Sequence, residues 1–368
     1  MKKNLFILLM CLSLMACEKS LVKEEFDNTP NGVYDAFWTE FDRFYGAFEA
    51  KGINWDSLKL IHEKDINAST SKSQLFKALS NLLASLNDGH ADINAAQNGY
   101  FRSWNRRSKS FFSDSVIYEV GPINQLFSNV TARYLHGIFK KDESTGTSFL
   151  YGIIQHQSYK IGYLLMPTFS GGKFPRDFLK EAAVALNSAD AVIIDIRFNG
   201  GGDDSNSMYA VNLFATERKL IFKSKFRNGP KHSDFTQVYE QYTKPAAEGC
   251  KNKPLAILAN SFTGSASEHF ILGLRSQQNV IQVGDTTCGA FSQVHERVLP
   301  NGWMFRLGSQ VILTSEGSLL TDSKGRYLEG IGFAPDYYVR DEYKKIREGL
   351  DLPLNKAIFE LEKLVQQK

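Results

Sequence analysis

The stretch PLAILANSFTGSASEHFILGLRSQQNVIQVGDTTCG, residues 254–289, decides how the chain is read. It opens with an apolar run from Pro254 to Ala259, passes through a tight polar turn, takes helical spacing from about Ser265, and returns to a strand that ends at Gly284. Apolar strands joined through a helix are the unit of a parallel sheet covered on both faces. The turn sets Ser265 where strand gives way to helix. A hydroxyl at such a corner is exposed, and the N–H groups of the first helical turn, which lack carbonyl partners, stabilise negative charge beside it. Ser265 is therefore the candidate nucleophile. A plainer role competes: Thr263, Ser265 and Ser267 can serve as a helix cap, with Glu268 as partner in a capping box.

The same alternation continues upstream. IGYLLM (161–166) and AVIIDIR (191–197) read as buried strands, and FPRDFLKEAAVALNSA (174–189) and SNSMYAVNLFA (205–215) as amphipathic helices. Between the second strand and its helix lies FNGGGDD, residues 198–204. Three glycines at the end of a parallel strand let backbone N–H groups be aimed at a ligand. Phosphate is disfavoured by Asp203 and Asp204 and by the lack of GxGxxG or GxxxxGK spacing, which leaves an oxyanion hole or a tight turn. Downstream come strand-like VHERVLP, WMFRLG and QVILT, so the α/β core is expected over 161–345 and a C-terminal helix over 346–368.

The front of the chain is helical. Val33, Phe37, Phe41, Phe44, Tyr45 and Phe48 share one helix face, Asn54-Trp55-Asp56 opens a second helix, and Ser73 caps a third that carries Leu75, Leu79, Leu82 and Leu83. This predicts a helical bundle over 31–96, ending in LNDGH, residues 86–90. The turn Asn87-Asp88-Gly89 presents His90, a candidate general base delivered by a rigid helix, although a loop histidine is as often merely solvated. Residues 97–160 read as a small β-rich segment, from Val116-Ile117-Tyr118, Tyr134, Phe139 and 149–154, with turns at Gly121-Pro122 and 142–146.

MKKNLFILLMCLSLMAC, residues 1–17, has a basic start, a short apolar run and small or apolar residues before Cys17. It resembles a bacterial lipoprotein signal, which implies removal of 1–16, acylation of Cys17, a polar tether over 17–30 and a lipid-anchored position in the cell envelope. Loss of Lys2 and Lys3 takes the formal charge from +3 to +1, so there is no electrostatic case for nucleic acid. No second apolar run reaches the roughly 18 residues of a membrane span, so the body reads as soluble. Whether Cys250 and Cys288 pair is left open.

Taken in order, LNDGH, IGYLLMPTFSG, VIIDIRFNGGG, LAILANSFTGSASE, VGDTTCG, LPNG and EGIGFAPD closely resemble the tail-specific and tricorn-type serine peptidases, the S41 peptidase family. The resemblance implies a ClpP/crotonase-like α/β superhelix core, a peptide or unfolded protein as substrate, and a serine acyl-enzyme at Ser265. It implies oxyanion donors at the backbone N–H of Ala266 and of Gly201. Tail-specific members activate the serine with a lysine in a block that here reads GDTTCGA, with Ala290 in the lysine's place. Tricorn-type members use a histidine after the bundle, which matches His90, and a glutamate near the end of the core, for which Glu329 is the nearest match and Asp88 the runner-up. The PDZ domain of tail-specific members has no counterpart in 97–160.

Rival chemistries find less support. His269 stands one helical turn beyond Ser265, where its ring is expected to lie along the helix surface, and His295 has no motif around it. Ser170-Gly171-Gly172-Lys173 imitates an SxxK block without its companions, and GxSxG, HExxH and paired CxxC are absent, so no cofactor or metal is expected. The alternative to a peptidase is a catalytically inactive member of the fold that binds peptides or apolar ligands, suggested by Ala290.

Overall fold

The computed structural model describes residues 26–104, 112–114, 120–144 and 148–367. Cys17, the expected signal, most of the expected tether and Val116-Ile117-Tyr118 lie outside them. No helix among the described residues is long and apolar enough to cross a membrane.

A seven-stranded sheet forms the centre. In chain order its strands are β1 (Phe139–Lys141), β2 (Leu150–His156), β3 (Tyr159–Leu165), β4 (Ala191–Asp195), β5 (Leu255–Ala259), β6 (Val280–Gly284) and β7 (Tyr337–Tyr338), and they lie side by side in that order. From β3 to β7 all neighbours are parallel, with Ile193 opposite Ala256 and Val280 opposite Leu255; β1 and β2 add an antiparallel edge. The all-apolar strands are buried on both faces, as their sequences require. On one side Val192, Ile194 and Ile257 pack with helices Arg176–Leu186, Asp204–Phe214 and Ala266–Arg275; on the other, Ala191, Ile193 and Leu258 meet helix Leu352–Gln366 through Leu354, Ile358 and Leu361.

The bundle consists of helices Pro30–Phe44, Trp55–His62 and Lys72–Ala84 with a short turn at Phe48–Lys51. Asn54 caps the second as expected. The third is capped by Ser71, not Ser73, because Gln74 stands where it can answer the cap: its amide N–H reaches Ser71 Oγ and its side-chain oxygen takes the Ser71 N–H. The bundle shares one core with the second half of the chain, Phe37, Phe41 and Leu79 packing with Leu299, Phe305 and Leu307.

Residues 97–160 depart from the β-rich expectation. Helix Val120–Tyr134 occupies their centre, and β1 and β2 belong to the main sheet. Phe127, Val130 and Tyr134 recur at helical spacing and join Phe112 and Ile346 in a separate small core. Gly121-Pro122, expected to be a turn, falls in this helix's first turn, where the missing proline N–H breaks no helical bond.

A four-stranded antiparallel sheet joins front to back. Its order is Val294–Val298, Met304–Gly308, Asp92–Asn94, Tyr100–Arg102, with Asp92 opposite Arg306. The strand that begins two residues after His90 is thus held by a strand from the far end of the sequence. A three-stranded sheet, Gln310–Leu313, Leu220–Phe226 and Tyr239–Tyr242, completes the fold.

Candidate active site

Ser265 has φ 59° and ψ −129°, a region that only glycine enters without cost. Its surroundings hold it there. The Ser265 N–H donates to Glu268 Oε2 at 3.1 Å, and the Glu268 N–H donates to the Ser265 carbonyl at 2.7 Å. Glu268 is fully buried, and its carboxylate also accepts from Thr287 Oγ1 (2.6 Å), Gly289 N–H (2.7 Å) and Ala290 N–H (2.8 Å). Burial raises its pKa, while those four donors pull the other way. The capping partner foreseen for Glu268 is real, and it ties the Ser265 corner to segment 287–290. The neighbouring hydroxyls are structural: Thr263 Oγ1 donates to Ile196 O at 2.9 Å and Ser267 Oγ to Asn199 O at 3.0 Å.

The glycine loop lies directly against this corner. A Cβ on Gly201, whose φ is +101°, would stand 2.6 Å from Ser265 Cβ and 3.0 Å from Ala266 N, so only glycine fits. Ala266 is the first residue of its helix, where the N–H has no helical partner. The Gly201 N–H, expected to be the second oxyanion donor, donates to Asn199 Oδ1 at 3.0 Å. The exposed Gly200 N–H has no such partner among the described residues. Asn199, a residue that sequence reasoning passed over, is the loop's keystone: fully buried, it also holds Met166 O through Nδ2 and accepts Gly264 N–H at 3.1 Å.

His90 is held by the loop that follows the bundle. Asp88, fully buried, accepts the His90 N–H at 2.7 Å and the Tyr45 hydroxyl at 2.7 Å, which sets the loop's shape. A Cβ on Gly89 would lie 3.0 Å from Ala290 Cβ and 3.6 Å from Cys288 Sγ, and one on Gly264 would lie 2.8 Å from Cys288 Cβ. The histidine loop and the serine turn therefore pack on the same segment, 288–290. Cys288 and Cys250 are both buried and form no disulfide with each other.

His90 Nδ1 and Glu329 Oε1 are both buried without a hydrogen-bond partner among the described residues. One nitrogen of His90 and one oxygen each of Asp88 and Glu329 lie within 4.8 Å of one another. Glu329 Oε2 accepts the N–H groups of Phe291 (2.9 Å) and Ser292 (3.0 Å), which aims the carboxyl. Burial, then the charge of Asp88, pushes the Glu329 pKa well above the carboxylate range. Burial lowers that of His90 to about 4, against the opposing pull of Asp88. The three groups could in principle ligate a cation. Two features of the site oppose it: both Asp88 oxygens already accept hydrogen bonds, and Lys51 Nζ reaches in to Asn87 O (3.0 Å) and Glu329 O (2.9 Å). Asp88 is thus occupied with holding the loop, and Glu329 carries the oxygen that is unmatched near His90.

The other histidines fall apart from this group or beside it. His295 Nε2 pairs with Ser309 Oγ at 2.8 Å in the four-stranded sheet. His269 is buried, not laid along a helix surface, and its Nδ1 meets Asp204 Oδ1 at 2.8 Å. Neither Lys51 nor the Asp204–His269 pair carries a motif; each is created by contact between distant segments.

Residues 160–339 match peptidase family S41. Among curated proteins, the carboxy-terminal processing protease CtpA of Bacillus subtilis (strain 168) is 28% identical over 169 residues, covering 45% of this chain and 34% of that protein. A carboxyl-terminal-processing protease of Synechocystis sp. (strain ATCC 27184 / PCC 6803 / Kazusa) is 31% identical over 134 residues, covering 35% of this chain and 28% of that protein. The chain thus spans about a third of the length of these curated relatives. Two solved structures share its fold over nearly all of its length. One, from Parabacteroides merdae ATCC 43184 and solved as a candidate peptidase, has TM-score 0.74 and 24% identity, covering 91% of this chain and 97% of that one. The other, mature CPAF complexed with lactacystin, has TM-score 0.63 and 11% identity, covering 92% and 98%. The S41 blocks read from the sequence, the parallel sheet that carries them and these likenesses agree with the match of residues 160–339 to peptidase family S41.

Proposed function

We propose that the protein is a serine peptidase that cleaves peptide bonds through an acyl-enzyme on Ser265, with His90 as general base and Glu329 as the group that orients it. The observation that carries this reading is the backbone of Ser265: φ 59°, ψ −129° at the first turn of a helix, pressed against a glycine loop. Strain of this kind persists where the surroundings over-determine it, and it serves to expose a nucleophile beside unpaired N–H groups.

In the reaction, His90 takes the Ser265 proton as Oγ attacks the peptide carbonyl. The carbonyl oxygen becomes an alkoxide held by the Ala266 N–H and a glycine-loop N–H. The imidazolium then gives its proton to the leaving amine as the C–N bond breaks. Water, deprotonated by the same imidazole, releases the carboxylic acid and restores the serine. The Gly200 N–H is the better second donor, because that of Gly201 is engaged by Asn199.

Ala290 fits this scheme. Packed on Gly89 and 4% exposed, it stands under the histidine loop, and a lysine there would displace that loop. A small residue at 290 is compatible with a histidine-based site and supports the peptidase reading over that of an inactive binder. The lipid anchor at Cys17 and a position in the cell envelope are part of the same proposal, drawn from the leader sequence. The test is labelling by a fluorophosphonate together with hydrolysis of an unfolded protein such as casein. Wild type should react, Ser265→Ala should do neither, and His90→Ala should lose at least roughly 10³-fold in both. Undiminished labelling of Ser265→Ala would refute the assignment.

A further inference from the structure

We propose that Asp204 and His269 are a positioning pair that clamps the glycine loop, residues 200–202, to the helix carrying Ser265, and so holds the loop's amides where the oxyanion forms. Asp204 is the first residue of helix Asp204–Phe214, immediately after the loop. His269 lies in the first turn of Ala266–Arg275, four residues after Ser265. Their 2.8 Å contact, Asp204 Oδ1 to His269 Nδ1, bridges the two helices whose N-termini carry the loop and the serine.

The loop needs such an anchor. Gly201 and Gly202 have φ of +101° and +144° and no side chains with which to hold that conformation. The loop's start is fixed through Asn199, whose carbonyl accepts both Gly264 N–H and Ser267 Oγ. Its outer edge is bonded to Phe169, through Phe169 N–H to Gly201 O (3.0 Å) and Asp203 N–H to Phe169 O (3.1 Å). Asp203 caps its own helix through the Ser205 N–H. At the loop's end, the contact from Asp204 to the helix carrying Ser265 falls to His269.

The imidazole is built for this role. It is 3% exposed and packed against Phe222 with ring centres 4.9 Å apart and planes tilted by 36°, so its orientation is set, and Nε2 has no hydrogen-bond partner among the described residues. The titratable groups around it are Asp204 from the neighbouring helix, Glu268 from its own and His90 from the loop after the bundle. Burial disfavours its charge, yet the bond to Asp204 and the two acids outweigh that and raise its pKa, while His269 lowers that of Asp204.

The inference rests on the reading of Ser265 as nucleophile for its kinetic consequence only. A clamp on oxyanion donors acts on the transition state and not on substrate binding, so it should move kcat and spare KM. His269→Phe keeps a ring on Phe222 and removes the nitrogen. It should lower kcat roughly 10- to 100-fold with KM changed less than about twofold. Asp204→Ala should match it, and His269→Asn, whose amide nitrogen can stand near the place of Nδ1, should recover most of the loss. Hydrogen exchange provides a readout independent of turnover. In the Ser265→Ala background, His269→Phe should speed exchange of peptide amides over 199–203 by roughly tenfold, with circular dichroism unchanged. Unchanged exchange, or a loss confined to KM, would overturn the clamp. Should the wild type prove inert to fluorophosphonate, the nucleophile assignment fails while the exchange comparison still decides the clamp.

Discussion

The two imidazoles at this site are held toward opposite charge states, and the difference can be measured. Burial lowers the His90 pKa from 6.5 to about 4, so the ring is neutral and ready to accept a proton at any pH above that. In the unfolded chain the same ring takes a proton near 6.5. Between pH 6.5 and about 4 the unfolded state therefore binds a proton that the folded state refuses, and stability falls as pH drops through that window. Thermal melts of wild type and His90→Gln across pH 4–7 should show the acid-side loss reduced in the variant, and the acid limb of kcat/KM should lie near 4. A limb at 6.5 or above would mean that His90 is not the base in this environment. Ser265, His90 and Glu329 were open to proposal as site residues from the sequence because each sits in a short block whose chemistry is local. Lys51 and Tyr45 were not: Lys51 meets Glu329 across 278 positions of sequence and Tyr45 meets Asp88 across 43, and no spacing rule encodes such contacts.

At the scale of elements, legibility follows the length and regularity of the pattern. The apolar strands β3 to β6 and the helices between them declare themselves, whereas Val120–Tyr134 hides its helical spacing among aromatic and β-branched residues that favour strands. Two strands of three residues, Asp92–Asn94 and Tyr100–Arg102, are too short for any period to show, yet they determine where His90 stands. Asp92, 3% exposed, accepts Arg306 Nε on both oxygens at 3.0 and 3.1 Å and Tyr100 OH at 2.9 Å, so a salt bridge rivets the strand after the histidine loop to Met304–Gly308. Arg306→Ala leaves that acid buried and short of a partner. It should cost about 1–3 kcal/mol, toward the lower end because Arg306 is about a third exposed. Urea unfolding measures the cost. If this strand pair places the base, kcat should fall more than stability alone explains at temperatures where the variant is fully folded.

At the scale of the whole molecule, one guanidinium ties the sheet to the C-terminal end. Arg197, 3% exposed, follows β4 and precedes the glycine loop; it bonds Asp195 Oδ2 at 2.6 Å and Asp351 at 2.8 and 2.9 Å, with Asp341 at 3.4 Å. Asp351 caps helix Leu352–Gln366 through the Leu354 N–H, and Phe127 of helix Val120–Tyr134 covers the guanidinium at 4.9 Å. Three carboxylates around one guanidinium leave an excess of two negative charges in a dry site, and the acid with the longest contact gives way: burial, less the pull of Arg197, moves the Asp341 pKa up to about 8. Arg197→Met strands two paired carboxylates and should cost about 3–5 kcal/mol, seen as a lower urea midpoint. Asp341→Asn should do the reverse. Folded Asp341 keeps its proton up to about pH 8 while the unfolded chain releases it near 3.8, so wild-type stability falls as pH rises through that interval. Asparagine keeps the neutral shape and has no proton to lose. The variant should therefore gain on the wild type steadily from pH 5 to pH 8 in urea titrations, and a pH-independent difference between the two would show that Asp341 is ionised in the fold and that the network carries its full negative charge.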